Sequence, residues 1–502
     1  MKITSNDSIL VIGAGIMGAG IAQVAAQAGH TVFLFDLREG AAADAKKKLG
    51  ATLDGLVAKG RLAADAAAAA LARIEVAGSL DAAAGARVAV EAIVENLDAK
   101  RSLFKQLEAL LATDAVLATN TSSISVTAIA NGLKFPQRLV GMHFFNPVPL
   151  MKLVEVVHGL QTDGAVADAI FDLSKAWGKV PVHAKSTPGF IVNRIARPYY
   201  AETLALLQEQ AASPQVLDAC LMAAGFRMGP CELMDLIGHD TNFQVTNSVY
   251  DANFQDKRYV PSLVQREMVD GGLLGRKSGR GFYTYPAGAP ALEAAALPPP
   301  GAPRHVTVHG GDAIADWLAD HAQRVTAWEG LTPGREAASG WTGLQIDGAR
   351  LMLTDGRPAH DVAAHIGNDE VALFDRVVTL PVAPGTPLGY AVNARASAAW
   401  QAAAPAWLQA LGFAPQRVAD APGLVVARTL AMLVNEASDA VLQGVCTEDG
   451  ADAAMKLGVN YPAGPFDWLR GWSRDGVIGV LRALDEAYRG ERYRVSPRLQ
   501  RA

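Results

Sequence analysis

The chain has 502 residues, half of them hydrophobic, and a formal net charge of −5. This length exceeds what one hydrophobic core can serve, so we expect two to four domains. The acidic balance excludes a general basic surface for nucleic acid, and the lack of a long apolar run excludes a membrane-spanning helix.

The cysteine count indicates the redox compartment. Three cysteines, Cys220, Cys231 and Cys446, are too few for a disulfide framework and lack metal-ligand spacing. We therefore expect no metal site and a reducing cytoplasm. The first apolar run already has the pattern of a strand, so the N-terminus does not resemble a signal peptide.

The first 36 residues carry a nucleotide-binding pattern. Residues 9–13 (ILVIG) predict a buried strand, and the loop with Gly13, Gly15 and Gly18 leads into a helix. In this motif the first glycine permits a tight turn, the second lets the backbone approach a pyrophosphate, and the third allows helix and strand to pack closely. The alternative is a glycine-rich turn without a ligand. The completeness of the unit favours a dinucleotide site.

The second strand, TVFLFD, ends at Asp36, where a carboxylate can accept hydrogen bonds from the adenosine ribose. A carboxylate also repels a 2′-phosphate, so the sequence favours NAD over NADP. Arg38 is an alternative phosphate partner that would weaken this preference.

Two further strands are predicted to end in polar residues. RVAVEAIVE (87–95) would end at Glu95, and AVLATN (115–120) at Asn120. Because ligands bind at the carboxyl ends of parallel strands, both residues are candidate neighbours of the nicotinamide ribose. Lys100, one helical turn later, could reach the same ribose or could be a solvated surface lysine.

About fifty residues with helical composition separate the second predicted strand from the strand at 87–95. This stretch is too long for a simple crossover, and we expect a helical hairpin. Its lysines include Lys48 and Lys59. They could form a partial clamp for an anionic tail such as the phosphates of coenzyme A, or a solvated helix face.

The densest group of candidate catalytic residues lies at 119–157, with a further motif at 187–194. TNTSS contains Ser122, GMHFFNPVPLMKLVEVV contains His143, Asn146 and Glu155, and TPGFIVNR contains Asn193. A histidine, a carboxylate to orient it, and nearby hydroxyl and amide groups suit proton removal from a substrate alcohol. Individually, each could be structural: a core histidine, a helix cap, a turn or a strand-face charge. Their combination beside a nicotinamide site indicates an alcohol dehydrogenase.

Residues 8–285 resemble the L-3-hydroxyacyl-CoA dehydrogenase family. The resemblance rests on GAGIMGAGIA, VEAIVEN, TNTSS, HFFNPVPLMKLVEV, TPGFIVNR and GRKSGRGFYTY. It implies an NAD-binding Rossmann domain followed by an all-α domain, with an acyl-CoA as substrate. It also implies roles for the site residues: His143 as general base, Glu155 as its orienting carboxylate, Ser122 and Asn193 at the substrate's 3-oxygen, Asn146 lining the site, and Asp36, Glu95, Lys100 and Asn120 at NAD.

The C-terminal part repeats the helical region. APGLVVARTLAMLVNEA (421–437) matches TPGFIVNRIARPYYAET (187–203) at an offset of 234 residues. The second copy lacks HFFNP and has Ala427 in place of Asn193, so we expect one active site per chain. The predicted organisation is a Rossmann domain with a helical insertion (1–186), a helical domain (187–285), a Pro/Ala linker (286–304), a degenerate Rossmann-like region (305–420) and a second helical domain (421–502).

The two helical copies are expected to pair within the chain, with or without a further homo-oligomer. The predicted reaction is NAD-dependent oxidation of a 3-hydroxyacyl-CoA. The length and the tandem helical copies resemble the bacterial two-repeat branch of this family, and this resemblance implies 3-hydroxyadipyl-CoA in phenylacetate breakdown, with 3-hydroxybutyryl-CoA as the alternative. Arg194 and Arg197 are candidate partners for a distal acyl carboxylate, or simply arginines on a solvated helix surface. A fused hydratase would need a motif that 305–502 lacks, and a non-catalytic NAD-binding protein would not need both His143 and Glu155.

Overall fold

The computed structural model describes residues 2–292, 297–325 and 331–501. The chain divides into two compact units, Met1–Arg194 with Ala440–Asn460, and Ile195–Asp439 with Tyr461–Ala502. The predicted linker 286–304 and the predicted region 305–420 each include residues outside the described ranges, namely 293–296 and 326–330.

The first unit is built on a sheet that has eight strands among the described residues. The strands are β1 (Ile9–Ile12), β2 (Val32–Phe35), β3 (Ile74–Val76), β4 (Val88–Glu91), β5 (Val116–Thr119), β6 (Leu139–Phe144), β7 (Leu153–His158) and β8 (Val180–Lys185). The helices are α1 (Ile16–Gln27), α2 (Ala41–Ala58), α3 (Ala64–Ala72), α4 (Leu97–Leu110), α5 (Val126–Ala130), α6 (Gly164–Ala176), α7 (Val192–Ile195, at the unit's end) and α17 (Glu448–Gly458).

The strand order is β3-β2-β1-β4-β5-β6-β7-β8, and the pairs from β3 to β6 are parallel. This is the doubly wound order of dinucleotide-binding folds. All four residues of β1 and of β4 are buried, as expected for a parallel sheet covered on both faces. The Rossmann-type fold predicted for this part of the chain is confirmed.

The sheet changes direction at its far end. β7 runs antiparallel to β6, and β8 is parallel to β7. The reversal puts β7 beside the strand that carries His143, and it is the feature of the fold that assembles the candidate catalytic pair.

Two features of this sheet differ from the sequence prediction. The strand predicted at 87–95 ends at Glu91, not Glu95, because the chain turns there and the Glu91 carboxylate accepts a hydrogen bond from Ile93 N at 2.8 Å. The insertion after β2 does form a helical hairpin, α2 and α3, but a short edge strand, β3, follows it and pairs with β2. With only three residues, β3 gives a weak period-2 signal.

The second unit contains a sheet with seven strands among the described residues, in the order β10-β9-β11-β12-β13-β14-β15. Its elements are β9 (Val306–His309), α13 (Ala313–Ala322), β10 (Gly334–Glu336), β11 (Gly343–Ile346), β12 (Ala349–Leu353), α14 (Ala359–Ile366), β13 (Val371–Phe374), β14 (Thr386–Val392), α15 (Ala398–Ala410) and β15 (Phe413–Arg417). The predicted strand, glycine turn and helix at 304–321 correspond to β9, Gly310 and α13.

The remaining helices of the second unit come from the two repeated regions. They are α8 (Arg197–Gln208), α9 (Pro214–Ala223), α10 (Pro230–Ile237), α11 (His239–Ala252), α12 (Leu263–Asp270), α16 (Val426–Leu442), α18 (Pro465–Trp472), α19 (Arg474–Tyr488) and α20 (Pro497–Arg501). Among the described residues, no helix is long and apolar enough to cross a bilayer.

The two repeats are in contact through buried charged groups. Glu202 of the first repeat is fully buried and accepts hydrogen bonds from Arg428 at 2.6 Å and Arg492 at 2.9 Å. In the opposite sense, Glu436 of the second repeat accepts a hydrogen bond from the Tyr259 hydroxyl at 2.6 Å and pairs with Arg258 at 3.3 Å. Each repeat therefore supplies an arginine that pairs with a glutamate of the other repeat.

Candidate active site

The glycine loop follows β1, and close contacts within the protein account for two of its three motif glycines. Gly13 has a φ of 102°, and a Cβ there would lie 2.4 Å from the carbonyl oxygen of Ala92. A Cβ on Gly18 would lie 1.7 Å from the carbonyl oxygen of Gly13. A Cβ on Gly15, by contrast, would meet no heavy atom within 4 Å among the described residues. Steric exclusion by the protein thus explains Gly13 and Gly18, while Gly15 faces open space at the start of α1, where a pyrophosphate would approach.

Asp36 lies immediately after β2 and is tied to the glycine loop. It accepts hydrogen bonds from Ala14 N at 2.7 Å and from the Arg38 side chain at 3.0 Å. Its hydrogen bonds with the Arg38 side chain lower the pKa of Asp36 to about 2. The site therefore presents an ionised carboxylate where the adenosine ribose is expected.

Beyond β4, two glutamates share one lysine. Lys100 is 1% exposed and donates to Glu91 at 2.5 Å, and it lies 3.2 Å from Glu95. Glu91 is completely buried and also accepts a hydrogen bond from Thr119 Oγ1 at 2.6 Å. Sequence reasoning missed Glu91. A carboxylate directly after the apolar run Val88–Val90 was a signal that the strand ends there and that the residue could belong to the site.

Glu95 organises the TNTSS loop. Its Oε1 accepts hydrogen bonds from Thr121 Oγ1 at 2.6 Å and from Ser122 N at 2.9 Å. Burial alone would raise the pKa of Glu95, but Lys100 and these hydrogen bonds hold that pKa below its ordinary value. The carboxylate is therefore ionised and fixes the loop that carries Ser122.

Asn120 and Asn193 connect this loop to neighbouring segments. Asn120 Oδ1 accepts a hydrogen bond from Phe144 N at 2.8 Å, which links the end of β5 to the end of β6. Asn193 Nδ2 donates to the Ser122 carbonyl oxygen at 3.4 Å. The structure thus brings Ser122, Asn193 and the end of the His143 strand together.

His143 and Glu155 form the centre of the site. They are register partners across the antiparallel β6–β7 pair, and His143 Nδ1 lies 2.5 Å from Glu155 Oε2. Both side chains are buried. The other carboxylate oxygen of Glu155 accepts hydrogen bonds from Ile191 N at 2.9 Å and Val192 N at 3.0 Å. One carboxylate therefore orients the imidazole and binds the start of α7.

The other predicted site residues lie farther out. Asn146 is exposed on the loop after β6, where its peptide bond to Pro147 is cis. Lys48 on α2 and Lys59 at its C-terminal end are both exposed. Arg194 is buried, and its Nη1 donates to Gln443 Oε1 at 2.8 Å.

Arg197, the second arginine considered for an acyl carboxylate, is also buried. It donates to Thr246 Oγ1 at 3.1 Å, and its guanidinium lies 4.9 Å from the centre of the Tyr200 ring. The expectation of a solvated helix surface is therefore wrong for both arginines, because both side chains pack inside the protein.

Comparison with known proteins identifies the family. Residues 8–187 match the NAD binding domain of 3-hydroxyacyl-CoA dehydrogenase, and residues 189–285 and 423–502 match its C-terminal domain. The chain is 42% identical to a 3-hydroxyadipyl-CoA dehydrogenase of Escherichia coli K12, in an alignment that covers 97% of this chain and 95% of the relative. The chain belongs to the 3-hydroxyacyl-CoA dehydrogenase family. It is an NAD-dependent dehydrogenase, as the sequence predicted.

Comparison with short and full-length family members shows which part of the chain is the second repeat. A mitochondrial hydroxyacyl-coenzyme A dehydrogenase of Sus scrofa is 42% identical but aligns with 55% of this chain, covering 90% of its own length. A crystal structure of an E. coli K12 3-hydroxybutyryl-CoA dehydrogenase aligns with 99% of this chain and 98% of its own, with a TM-score of 0.89 at 40% identity. Residues 351–422 match the reduced Rossmann-fold domain of 3-hydroxybutyryl-CoA dehydrogenase. The two-repeat architecture is thus shared with the full-length E. coli enzyme, whereas the mitochondrial relative matches the first repeat.

Proposed function

We propose that this dehydrogenase oxidises (S)-3-hydroxyadipyl-CoA to 3-oxoadipyl-CoA, in phenylacetate breakdown in the cytoplasm. The observation that carries the chemistry is the His143–Glu155 pair, with its 2.5 Å contact, in the same compact unit as the glycine loop. The observation that favours the substrate is the similarity to a 3-hydroxyadipyl-CoA dehydrogenase along 97% of the chain.

His143 is proposed as the general base. A hydrogen bond from Nδ1–H to Glu155 leaves Nε2 as the ring nitrogen that accepts the proton of the substrate's 3-hydroxyl. The Glu155 carboxylate then stabilises the imidazolium that forms. Its two further hydrogen bonds from backbone N–H groups keep it oriented for this role.

Ser122 and Asn193 are proposed to bind the 3-oxygen. They lie on two different segments that meet through the 3.4 Å hydrogen bond from Asn193 to the Ser122 carbonyl oxygen. Hydroxyl and amide donors at this position would stabilise the polarised carbonyl in the reverse reaction. Asn146 is proposed to line the site beside them.

The residues present fit NAD. Open space above Gly15 accommodates the pyrophosphate at the start of α1, and ionised Asp36 suits a ribose that carries a free 2′-hydroxyl. Glu95, Lys100 and Asn120 are proposed to contact the nicotinamide-ribose end. When bound, NAD accepts the hydride that leaves C3 of the substrate.

Lys48 and Lys59 are proposed to attract the phosphates of coenzyme A. Both are exposed on the helical hairpin that follows the ribose-binding strand β2. We further propose the domain division 1–186, 187–285, 286–304, 305–420 and 421–502, with the second helical copy taking the place of a partner subunit.

The second candidate substrate is 3-hydroxybutyryl-CoA. It is favoured by the similarity to the E. coli protein named 3-hydroxybutyryl-CoA dehydrogenase, which matches 99% of this chain. The two substrates differ in chain length and in the distal carboxylate. A direct comparison of kcat/KM separates them.

The test is reduction of 3-oxoacyl-CoA thioesters with NADH, followed by NADH absorbance. The matched pair is 3-oxoadipyl-CoA and 3-oxohexanoyl-CoA, which have the same acyl length and differ in the terminal charge. We expect kcat/KM to be at least about tenfold higher for the charged substrate, equal to ~1.4 kcal/mol. Equal values would overturn the adipyl assignment, highest efficiency with acetoacetyl-CoA would favour the butyryl substrate, and no turnover of any thioester would indicate a non-catalytic NAD-binding protein.

A further inference from the structure

Residues 440–460, which we call the returning segment, come from the second repeat but belong to the first compact unit. The segment comprises the last residues of α16, a turn and α17. The catalytic pair lies in the same unit.

The returning segment joins the edge of the catalytic sheet. Lys185, the last residue of β8, donates its backbone N–H to the Val445 carbonyl oxygen at 2.9 Å. Its side chain lies close to the turn, since a Cβ on Gly444 would be 2.9 Å from Lys185 Nζ. α17 in turn packs against β7 and β8. The strand that carries Glu155 thus has part of the second repeat against it.

A second contact adjoins Asn193. The neighbouring Arg194 is 4% exposed and donates from Nη1 to Gln443 Oε1 at 2.8 Å. Gln443 is itself exposed, so this hydrogen bond connects the surface of the returning segment to the buried start of the first helical region. Because Arg194 and Asn193 are consecutive in one short helix, fixing one restricts the other.

The third contact is the close approach of Gly458, at the end of α17. A Cβ there would lie 2.6 Å from Leu153 Cδ2 and 3.0 Å from Val192 Cγ2. Leu153 is two residues before Glu155 on β7, and Val192 N donates to the Glu155 carboxylate. Any larger side chain at 458 therefore presses on the two elements that hold Glu155.

Gly458 also lies near the other side of the catalytic pair. Its Cβ would be 3.7 Å from the Phe145 ring, whose centre is 4.5 Å from that of the His143 imidazole. Gly458 thus lies beside Leu153 and Val192 on the Glu155 side and beside Phe145 on the His143 side.

We propose that the returning segment is a positioning element of the active site: Gly458 sets the placement of the His143–Glu155 pair, and Gln443, through Arg194, sets that of Asn193. This inference rests on the roles proposed above for those residues. It assigns to the second repeat a part in the reaction in addition to its pairing with the first repeat.

The first test replaces Gly458 with Val and measures kcat, KM and the dissociation constant of NADH. We expect kcat to fall at least about tenfold while NADH binding stays within about twofold, because the glycine loop and Asp36 are not contacted. The matched control is Gly471→Val, at an exposed helical glycine whose Cβ would meet no described heavy atom within 4 Å. Equal kcat values for the two variants would overturn the role of Gly458.

The second test uses Gln443, whose exposure makes substitution compatible with folding. Gln443→Leu removes this side-chain acceptor from Arg194, whereas Gln443→Glu keeps one and should retain wild-type kcat. We expect Gln443→Leu to lower kcat about three- to tenfold with the melting temperature unchanged. Wild-type kcat in Gln443→Leu, or equal loss in both variants, would overturn the link to Asn193.

His143→Gln, assayed in parallel, separates this inference from the proposed function. If His143→Gln loses activity and the Gly458 and Gln443 variants do not, only the positioning role fails. If His143→Gln retains activity, the proposed base itself is wrong.

Discussion

Asp375 binds the start of the second helical copy in the way that Glu155 binds the start of the first. Glu155 accepts hydrogen bonds from the N–H groups of residues 191 and 192, and Asp375 from those of residues 425, 426 and 427. The offset of 234 residues makes 191 and 425 equivalent. In both copies a carboxylate from the sheet satisfies unpaired donors at a helix start.

The two carboxylates differ in the residue that lies opposite them on the neighbouring strand. Glu155 is opposite His143, whereas the Asp375 backbone N–H donates to the carbonyl oxygen of Gly389, which has no side chain. In the described part of the second copy, Asp375 thus serves the same structural task, and the residue paired with it on the next strand carries no side chain that could act as a base. One active site per chain stays a prediction.

The first prediction concerns the general base. His143→Gln should lower kcat by about 10²–10⁴-fold, the usual contribution of a positioned base, with NADH affinity nearly unchanged. Steady-state assays with fluorescence titration of NADH measure both quantities. Near wild-type turnover would show that another group takes the proton.

Glu155→Gln tests the charge of the orienting residue. The amide oxygen can still accept hydrogen bonds from the backbone N–H groups of 191 and 192, but the imidazolium loses its counter-charge. We expect kcat to fall, and the loss in a His143→Gln/Glu155→Gln double variant to be much smaller than the product of the single losses. Asp375→Asn is the matched control and should leave kcat unchanged. If the loss of kcat in the double variant equalled the product of the two single losses, the two side chains would act independently.

Asp36 should set the cofactor preference. Replacing it with Ala or Ser should reduce the ratio of kcat/KM for NADH over NADPH, because the carboxylate no longer repels the 2′-phosphate and Arg38 loses its partner. Comparable efficiency with both cofactors in the unmodified enzyme would contradict this interpretation.

The same carboxylate gives a pH prediction. The folded-state pKa of Asp36, about 2, is below its ordinary value, so its charge is present above the ordinary value and lost only as pH falls toward 2. The factor by which Asp36→Asn weakens NADH binding should therefore be equal at pH 5 and pH 8, as isothermal titration can measure. A factor that shrinks at pH 5 would mean that the carboxyl titrates near that pH.

Removal of the second repeat should expose surface on the first. A chain cut near residue 290 loses Arg428, Arg492 and Tyr493, which all donate to the fully buried Glu202. Leaving a buried charge without such partners costs about 3–5 kcal/mol. We expect aggregation or a new homodimer, measured by size-exclusion chromatography with light scattering against the full chain. A well-behaved, fully active monomer would contradict the pairing role.

The sequence alone determined the local chemistry. Gly13, Gly15, Gly18 and Asp36 follow a fixed spacing, because a tight turn, a phosphate approach and a ribose contact must all occur within one βαβ unit. The second helical copy was also readable, since its motif repeats at a constant offset. Features that depend on neighbours along the chain carry their signal in the sequence.

The family resemblance implied that Glu155 orients His143, but only the tertiary structure decided how distant segments of the chain meet. The end of β4 at Glu91, the Glu91–Lys100 pair and the return of residues 440–460 to the catalytic unit leave no periodic signal, since they depend on contacts between segments far apart in the chain. The pairing of His143 with Glu155 requires the antiparallel step from β6 to β7, and strand direction is set by the path of the whole sheet. Local patterns encode elements and motifs, and packing decides which of them share a site.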